Sequence, residues 1–297
     1  MTEKLTIDTE FVGVPWKQIK KNIAWRQTTN YAAAVSDMNP LYIDDERPEG
    51  VMAPPMFAVT LGWPIGKNIH KYIDVPYTRE VLEKDVHYTE YIEFHKPIKP
   101  GESDAGINLI IQPSIYAMIA QRAGTNVVYK YDVMDENGKL YHTEYNGTML
   151  RGVECVDGGK GELPFVPKCE NTEPIWDVPV YITPELPYIY DGCTDIVFAI
   201  HTSPKFAHSV NLPFNLLQGT VTIAIGVREM INRELNGAAN KVKAINAKLT
   251  AMVYPGSEIR VQLLEKRIGT EYVELFYRVL NQEGQAALSN GYVKALL

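Results

Sequence analysis

Two short polar stretches of the sequence carry side chains that could perform acid–base chemistry. The first stretch contains Asp37, Asn39 and Tyr42. The second contains Asp195 and His201. A carboxylate and an imidazole held a few residues apart on a turning segment can bind one water molecule between them and can each give or take a proton. Because each stretch precedes an apolar run, we expect the fold to place these groups close to a helix.

The apolar runs that follow predict two helices of different length. From Leu216 to about Leu235, apolar residues recur at near-helical spacing around small residues, which is typical of a long helix wrapped by a sheet. The corresponding run of the first half begins near Met56 and soon meets Pro64. Since proline lacks a backbone donor and clashes with the preceding turn, we expect this first helix to kink or stop there.

The strands that follow each helix occur twice in the sequence. In both halves a β-branched and aromatic strand leads to a Pro-Gly turn, a further strand and a hairpin, with bends at residues 135–138 and 281–284. This repeat predicts the same strand order in both halves. A long helix followed by consecutive antiparallel strands, given twice, predicts an α+β double hot-dog fold, because a doubly wound parallel sheet would alternate helices with strands.

A connector rich in proline and glycine separates the two repeats. Prolines recur from Val153 to Pro187 at a density that sustains neither a helix nor a central strand. The sequence therefore predicts an amino-terminal hot-dog domain at residues 1–152, an extended linker at 153–187 and a carboxy-terminal hot-dog domain at 188–297.

The first polar stretch resembles the signature of the MaoC-like hot-dog hydratases and dehydratases, which reads Asp, any residue, Asn, Pro, an aliphatic residue, His, any residue, Asp. The matching residues are Asp37, Asn39, Pro40, Leu41 and Asp44. Tyr42 stands at the histidine position. Together with the Ala-Pro-Pro segment that follows, this stretch looks most like the amino-terminal, dehydratase-like half of two-part members of the family.

The second polar stretch resembles the carboxy-terminal half of the same family. His201 falls on the signature histidine, and Gly219 falls on the glycine that the family places at the mouth of its helix. The signature aspartate and asparagine positions are occupied by Ile196 and Phe198, and Asp195 is displaced by one residue. The resemblance thus covers nearly the whole chain, and the duplication supports it.

The resemblance implies a hydro-lyase that acts on acyl thioesters, a 2-enoyl-CoA hydratase or 3-hydroxyacyl-CoA dehydratase. This chemistry needs a base, an acid and donors for the developing enolate oxygen. By resemblance, His201 is the general acid/base, the Gly219 N–H is the oxyanion donor and Asp195 is the carboxylate partner. Pro55, at the aligned position of the first half, has no N–H to offer. The second half is therefore the expected working site.

Alternatives to these assignments remain open on the sequence alone. Asp37 and Asn39 could cap the short helix that Pro40 opens, or could form a second, histidine-free site with Tyr42. Asp195 could be a turn residue, and a lone histidine is often a structural residue. Two alternatives to a hydratase are a non-catalytic acyl-binding or partner subunit of a hot-dog complex and a hot-dog thioesterase.

Composition and charge exclude several classes of protein. With 45% hydrophobic and 22% charged residues, the chain has the composition of a globular protein. No basic block accompanies the net charge of −7, so we expect no nucleic-acid partner. No apolar run is long enough to predict a membrane span, and the first residues do not resemble a secretory signal, so a cytoplasmic location is expected.

The sequence contains no motif for a metal or a cofactor. The three cysteines fit neither a disulfide framework nor paired metal ligands, and there is no glycine-rich phosphate loop. We therefore expect neither a metal nor a cofactor, and no motif indicates which residues bind coenzyme A. The family resemblance implies an acyl-CoA or acyl carrier protein thioester as substrate, a role in fatty acid metabolism, and either a homo-oligomer or pairing with another hot-dog protein.

Overall fold

The computed structural model describes residues 4–75, 77–101 and 105–297, and the chain folds as two halves of similar construction. The elements of the first half are β1 (Thr6–Ile7), β2 (Ile19–Ile23), α1 (Trp25–Ala34), α2 (Pro40–Ile43), α3 (Val59–Gly66), α4 (Arg79–Leu82), β3 (Asp85–Phe94), β4 (Ile107–Gln121), β5 (Gly124–Met134) and β6 (Leu140–Arg151). Short 3₁₀ helices at Pro55–Ala58 and Ile69–Lys71 lie on either side of α3.

The remainder of the chain repeats this plan. Its elements are β7 (Glu154–Cys155), β8 (Gly159–Lys160), β9 (Trp176–Ile182), α5 (Leu186–Thr194), α6 (Ala199–Thr202), α7 (Pro204–Ser209), α8 (Gly219–Glu234), β10 (Val242–Leu249), β11 (Ser257–Ile268), β12 (Tyr272–Leu280) and β13 (Ala286–Leu296). A 3₁₀ helix at Ala239–Lys241 joins α8 to β10. None of the described helices has the length and hydropathy needed to span a bilayer.

One antiparallel sheet runs through both halves. Its strands follow the order β2-β4-β5-β6-β3-β10-β13-β12-β11-β9, with β8 added beside β4. The central pair is β3 and β10, in which Ile92 lies opposite Ile245 and Glu90 lies opposite Ala247. On each side of this pair the strands repeat in the same order, which confirms the predicted duplication and the α+β double hot-dog fold.

The two predicted hairpin bends are confirmed. The Gly138 N–H donates to the Asp135 carbonyl at 3.0 Å, and the Gly284 N–H donates to the Asn281 carbonyl at 2.9 Å. Gly138 and Gly284 have φ values of 79° and 75°, in the left-handed region that glycine adopts at no steric cost. The first bend joins β5 to β6 and the second joins β12 to β13, the strands that the sequence predicts on either side of each bend.

The predicted linker contains regular structure of its own. Within residues 153–187, β9 pairs with β11 at the outer edge of the second half of the sheet. Pro179 lies in β9, where an edge position tolerates the missing backbone donor. Pro187 already lies in the first turn of α5, so helix begins before the predicted end of the linker. The division at residues 152 and 188 stays a prediction, and β9 belongs by pairing to the second half.

The central helices differ in length, as predicted. Helix α8 has 16 residues, most of them buried, and lies within the run from Leu216 to Leu235 that predicted it. Helix α3 has only 8 residues. It continues for two residues past Pro64, so the helix ends shortly after the proline and not at it. The Thr60 carbonyl, which Pro64 deprives of its helical donor, accepts instead from the Lys21 ammonium group at 3.4 Å.

A glycine at the equivalent position of each central helix allows the helix to pack closely against a tyrosine ring of the sheet. A Cβ added to Gly62 would lie 2.6 Å from the Tyr131 ring, and one added to Gly226 would lie 2.5 Å from the Tyr277 ring. Each glycine stands seven residues after the helix-mouth position, Pro55 in the first half and Gly219 in the second. The packing therefore supports the alignment of Pro55 with Gly219.

Replacement of Gly226 by alanine is expected to destabilise the fold. Overpacking against a buried ring costs about 1–3 kcal/mol, which outweighs the ~1 kcal/mol that alanine gains over glycine in a helix. Chemical denaturation of the variant would measure the difference in the free energy of unfolding. The cost should shrink when Tyr277 is replaced by leucine, and an equal cost in both backgrounds would contradict the packing explanation.

Candidate functional site

His201 is tied to the segment that enters α8. It is the third residue of α6, and its ring Nδ1 donates to the Leu216 carbonyl at 2.9 Å. Burial lowers the pKa of His201 to about 4, so the ring is neutral at neutral pH. With the proton on Nδ1, the Nε2 lone pair makes no hydrogen bond to any described residue. The imidazole is therefore available as a base beside the mouth of α8.

Gly219 opens α8 with a free backbone donor. The first N–H groups of a helix have no partner within the helix, and within the described ranges the Gly219 N–H has no acceptor elsewhere. A Cβ added to Gly219 would overlap the end of the Leu249 side chain, so a larger residue here would require Leu249 to shift. The helix amino terminus favours negative charge, which makes this N–H suited to an oxyanion.

Lys67 lies near both the imidazole of His201 and the carboxyl group of Asp191. It follows the last residue of α3, donates its ammonium to the Val197 carbonyl and stands 5.4 Å from the centre of the Phe198 ring. Beyond the effect of burial, its charge contributes to the lowered pKa of His201. Burial raises the pKa of Asp191, and Lys67 opposes that rise. The Asp191 Oδ2 atom is buried without a hydrogen bond.

Asp191 and Lys67 were not predicted from the sequence. Asp191 lies inside α5, in a run that predicts nothing beyond a helix, and Lys67 lies in the other half of the chain. The folded arrangement brings Lys67 close enough to His201 and to Asp191 for its charge to act on both. No short motif could have identified either residue.

Asp195 does not reach His201. It ends α5 in the left-handed conformation, with a φ of 57°, and its side chain is exposed. Its carboxylate faces Lys21, where it opposes the lowering of the pKa of Lys21 by burial. Across the described residues it makes no hydrogen bond or ion pair with His201. The alternative of a turn residue matches this geometry, and the catalytic role of Asp195 stays a prediction without a contact to support it.

The first signature copy is built in the same way as the second. Tyr42 and His201 are the third residues of α2 and α6. Ser36, with a φ of 52°, takes the left-handed position that Asp195 takes in the second half. The rings of Tyr31 and Tyr190 meet between the halves with their centroids 5.8 Å apart.

Asn39 has the predicted capping role. Its side-chain oxygen accepts from the Leu41 N–H at 3.0 Å, and its amide donates to the Gly237 carbonyl at 2.7 Å. Tyr42 is fully buried, and burial followed by the Asp37 charge raises its pKa. Among the described residues, the phenol of Tyr42 has no hydrogen-bond partner, and Tyr42 is not part of the lining of the cleft that Asp37 lines. The two hydrogen bonds of Asn39 hold this loop in place.

Asp37 lines a cleft of about 640 Å³ at the far end of α8. Its carboxylate stands 3.5 Å from the Asn232 amide, and burial raises its pKa. Asn232 follows Gly219 by thirteen residues of helix, a separation of about 20 Å along the axis. The two signature copies thus lie at opposite ends of α8 and do not form one site.

Several buried polar atoms have no hydrogen-bond partner among the described residues. They include Gln218 Oε1 next to the start of α8, Asp191 Oδ2 in α5, Glu90 Oε1 in β3 and Trp63 Nε1 in α3. Buried polar atoms almost always have a hydrogen-bond partner, so each of these atoms is open to a ligand or a water molecule. In the described part of the chain, no group of three or more His, Cys, Asp and Glu side chains is placed to hold a metal ion.

Two repeated halves, each with strands of the shared sheet packed around a central helix, define a double hot-dog protein. Residues 170–276 match the model of the family described as "MaoC like domain", and residues 10–139 match that of the "FAS1-like, dehydratase domain region". The chain thus contains a FAS1-like dehydratase region in its first half and a MaoC-like dehydratase domain in its second, which confirms the resemblance predicted from the two polar stretches.

Two curated relatives extend this comparison. The peroxisomal multifunctional enzyme type 2 of Drosophila melanogaster is 22% identical over 263 residues, which cover 86% of this chain and 42% of the relative. A fatty acid synthase beta subunit of Monascus ruber is 31% identical over 80 residues, 27% of this chain and 4% of the relative. The chain spans less than half the length of these relatives.

Solved structures support the fold. A MaoC-like dehydratase from Phytophthora capsici has a TM-score of 0.81 at 17% identity and covers 96% of both chains. The Drosophila enzyme has a TM-score of 0.73 at 19% identity, over 95% of this chain and 48% of its own. A Mycobacterium tuberculosis protein described as having a double hot-dog fold has a TM-score of 0.57 at 12% identity, over 95% of this chain and 96% of its own.

Proposed function

We propose that the protein interconverts a 2-enoyl thioester and its 3-hydroxyacyl thioester at the mouth of α8. The observation that carries the proposal is the hydrogen bond of His201 Nδ1 to the Leu216 carbonyl at 2.9 Å. This bond holds a neutral imidazole three residues ahead of the free Gly219 N–H. The match of residues 170–276 to the MaoC-like domain supports the reaction class.

Dehydration would begin when the thioester carbonyl accepts a hydrogen bond from the Gly219 N–H. The positive end of α8 stabilises charge on that oxygen, which makes the α-carbon more acidic. His201 Nε2 takes the α-proton, and the β-hydroxyl leaves as water once it receives a proton. Hydration is the reverse of these steps.

Coenzyme A or an acyl carrier protein is the proposed carrier of the thioester. The similarity of an 80-residue part of the chain to a fatty acid synthase beta subunit favours a role in fatty acid metabolism. The predicted cytoplasmic location stays a prediction, since the Drosophila relative is named as a peroxisomal enzyme. Assembly as a homo-oligomer or with another hot-dog protein likewise stays a prediction.

Purified protein incubated with 2-enoyl-CoA and 3-hydroxyacyl-CoA substrates of different chain length tests the proposal. Loss or gain of the enoyl absorbance is the expected result. Release of free coenzyme A without that change would identify a thioesterase. Turnover that appears only after a second hot-dog protein is added would identify a partner subunit.

The acid limb of the pH profile is expected near pH 4. Because burial lowers the pKa of His201 from 6.5 to about 4, the ring stays an unprotonated base down to that pH. The value of kcat/KM should therefore fall only as the pH drops toward 4, when protonation removes the base. Replacement of Lys67 by methionine removes a charge that lowers this pKa, and should move the limb to higher pH. A wild-type limb near 6.5 would contradict the assignment.

A further inference from the structure

The junction of the two halves places a carboxyl group from the first half beside the mouth of α8. Glu90 of β3 lies opposite Ala247 of β10. Two residues further along β10, Leu249 packs against the Cα atom of Gly219. Side chains that alternate by two along a strand share one face of the sheet, so Glu90 and Leu249 both face the helices.

Glu90 has one carboxyl oxygen bound and the other free. Its side chain is fully buried. Oε2 accepts from the Asn146 amide at 2.9 Å and lies 3.1 Å from His87 Nε2. Oε1 is buried and has no hydrogen-bond partner among the described residues. Burial raises the pKa of Glu90 well above its usual value, which favours the protonated carboxyl group, and the hydrogen bond from Asn146 opposes that rise.

The groups around Glu90 favour this protonated form. On β6, Glu144 is also fully buried, and burial followed by the nearby Glu90 raises its pKa. On β2, Lys21 faces Glu144, but burial lowers the pKa of Lys21. On β3 itself, burial lowers the pKa of His87 to about 4, so His87 is neutral. A single amine thus faces two buried carboxyl groups.

Hydroxyl groups from three helices complete the surroundings. Tyr31 of α1 and Tyr190 of α5 both lie near enough to Glu90 for its charge to raise their pKa. Tyr190 in turn adjoins Thr220, the second residue of α8. The Tyr190 hydroxyl lies within hydrogen-bonding reach of both the Tyr31 and the Thr220 hydroxyls. These hydroxyls connect the surroundings of Glu90 with the first turn of α8.

The second signature copy lacks a carboxyl group of its own. Ile196 occupies the aspartate position and is 1% exposed. Asp195 is exposed and faces Lys21. Glu90 is a fully buried carboxyl group whose charge acts on Tyr190, and Tyr190 hydrogen-bonds to Thr220 in the first turn of α8.

We infer that Glu90 is the general acid of the site, supplied by the first half to the second. The inference rests on the proposed function. In dehydration, His201 Nε2 takes the α-proton and Glu90 Oε1 gives its proton to the β-hydroxyl. The carbon–oxygen bond breaks, water and the enoyl thioester leave, and Glu90 remains as a carboxylate beside a His201 imidazolium. Return of the proton from His201 to Glu90 restores both groups.

Replacement of Glu90 by glutamine tests the inference. Glutamine keeps the shape, the neutral state and an acceptor for Asn146, so the variant should fold. It cannot give a proton, and kcat should fall by about 100-fold or more with little change in KM. The matched control is Glu93→Gln on the same strand, whose carboxylate accepts from Tyr91 at 3.0 Å and should not affect turnover.

Three further readouts separate a catalytic from a structural role. The alkaline limb of the wild-type pH profile, where Glu90 loses its proton, should be absent in Glu90→Gln. Infrared spectra of the ligand-free protein at neutral pH should lose a protonated-carboxyl band in this variant. If Glu90→Gln does not fold, Glu90→Asp keeps the acid, and its alkaline limb should move.

The outcomes distinguish this inference from the proposed function. Wild-type protein that converts enoyl-CoA, together with Glu90→Gln at the wild-type rate, would overturn the role of Glu90 and leave the function standing. An unchanged alkaline limb in Glu90→Asp would do the same. Wild-type protein that converts no thioester would overturn both.

Discussion

Replacement of His201 by alanine is expected to lower kcat by about 100-fold or more, because the reaction loses its general base. The proposed chemistry uses the Nε2 atom of this residue. The variant also loses the hydrogen bond to the Leu216 carbonyl. That loss is worth about 0.5–1.5 kcal/mol, which a folded domain normally tolerates. Steady-state kinetics and thermal unfolding on the same preparation would separate the two effects.

His208→Ala is the matched control for this experiment. His208 lies in α7, is exposed, and bonds through Nε2 to the Pro213 carbonyl at 3.1 Å. Its loss should leave kcat unchanged. If His201→Ala kept the wild-type rate while remaining folded, the mouth of α8 would not be the site, and the cleft lined by Asp37 would become the place to search.

The elements of the fold were predictable because their signals are local. The spacing of apolar residues predicted α8, and the glycines of the hairpin bends predicted two turns that the structure confirms. The repeat of these signals predicted the strand order. Pro64 marks the limit of such reasoning, because Lys21 from β2 satisfies the carbonyl that the proline leaves free. A contact between distant strands and helices has no signal in the sequence around Pro64.

The site was predictable in part for the same reason. His201 and Gly219 lie in a segment whose pattern resembles a family signature, and the structure places both near the first turn of α8. Lys67, Asp191 and Glu90 come from α3, α5 and β3, and only tertiary packing brings them there. Asp195 was assigned by its nearness in sequence, but its left-handed backbone directs it away from His201.

The two halves have diverged at the positions that would do chemistry while keeping their architecture. Tyr42 replaces the imidazole, and Pro55 removes the amide donor at the mouth of the first helix. The first half still contributes α3, whose end carries Lys67, and β3, which carries Glu90. In the proposed mechanism the first half therefore completes the site of the second half across the pairing of β3 with β10.

Removal of the Gly219 N–H is expected to lower kcat by about 100- to 1,000-fold, which corresponds to about 2.7–4 kcal/mol of barrier. Proline removes the donor and is well tolerated at the first position of a helix. Gln218 has φ and ψ of −59° and 134°, which a following proline accepts. Because Leu249 occupies the space of a Cβ, the test uses Gly219→Pro in a Leu249→Ala background.

Gly219→Ala in the same Leu249→Ala background is the matched control. It adds the same Cβ and keeps the N–H, so its kcat should stay close to that of Leu249→Ala alone. The difference between the proline and alanine variants isolates the hydrogen bond to the thioester oxygen from the change in packing. Equal rates would mean that the oxygen is bound elsewhere, whereas a loss confined to the proline variant would place the developing negative charge at the amino terminus of α8.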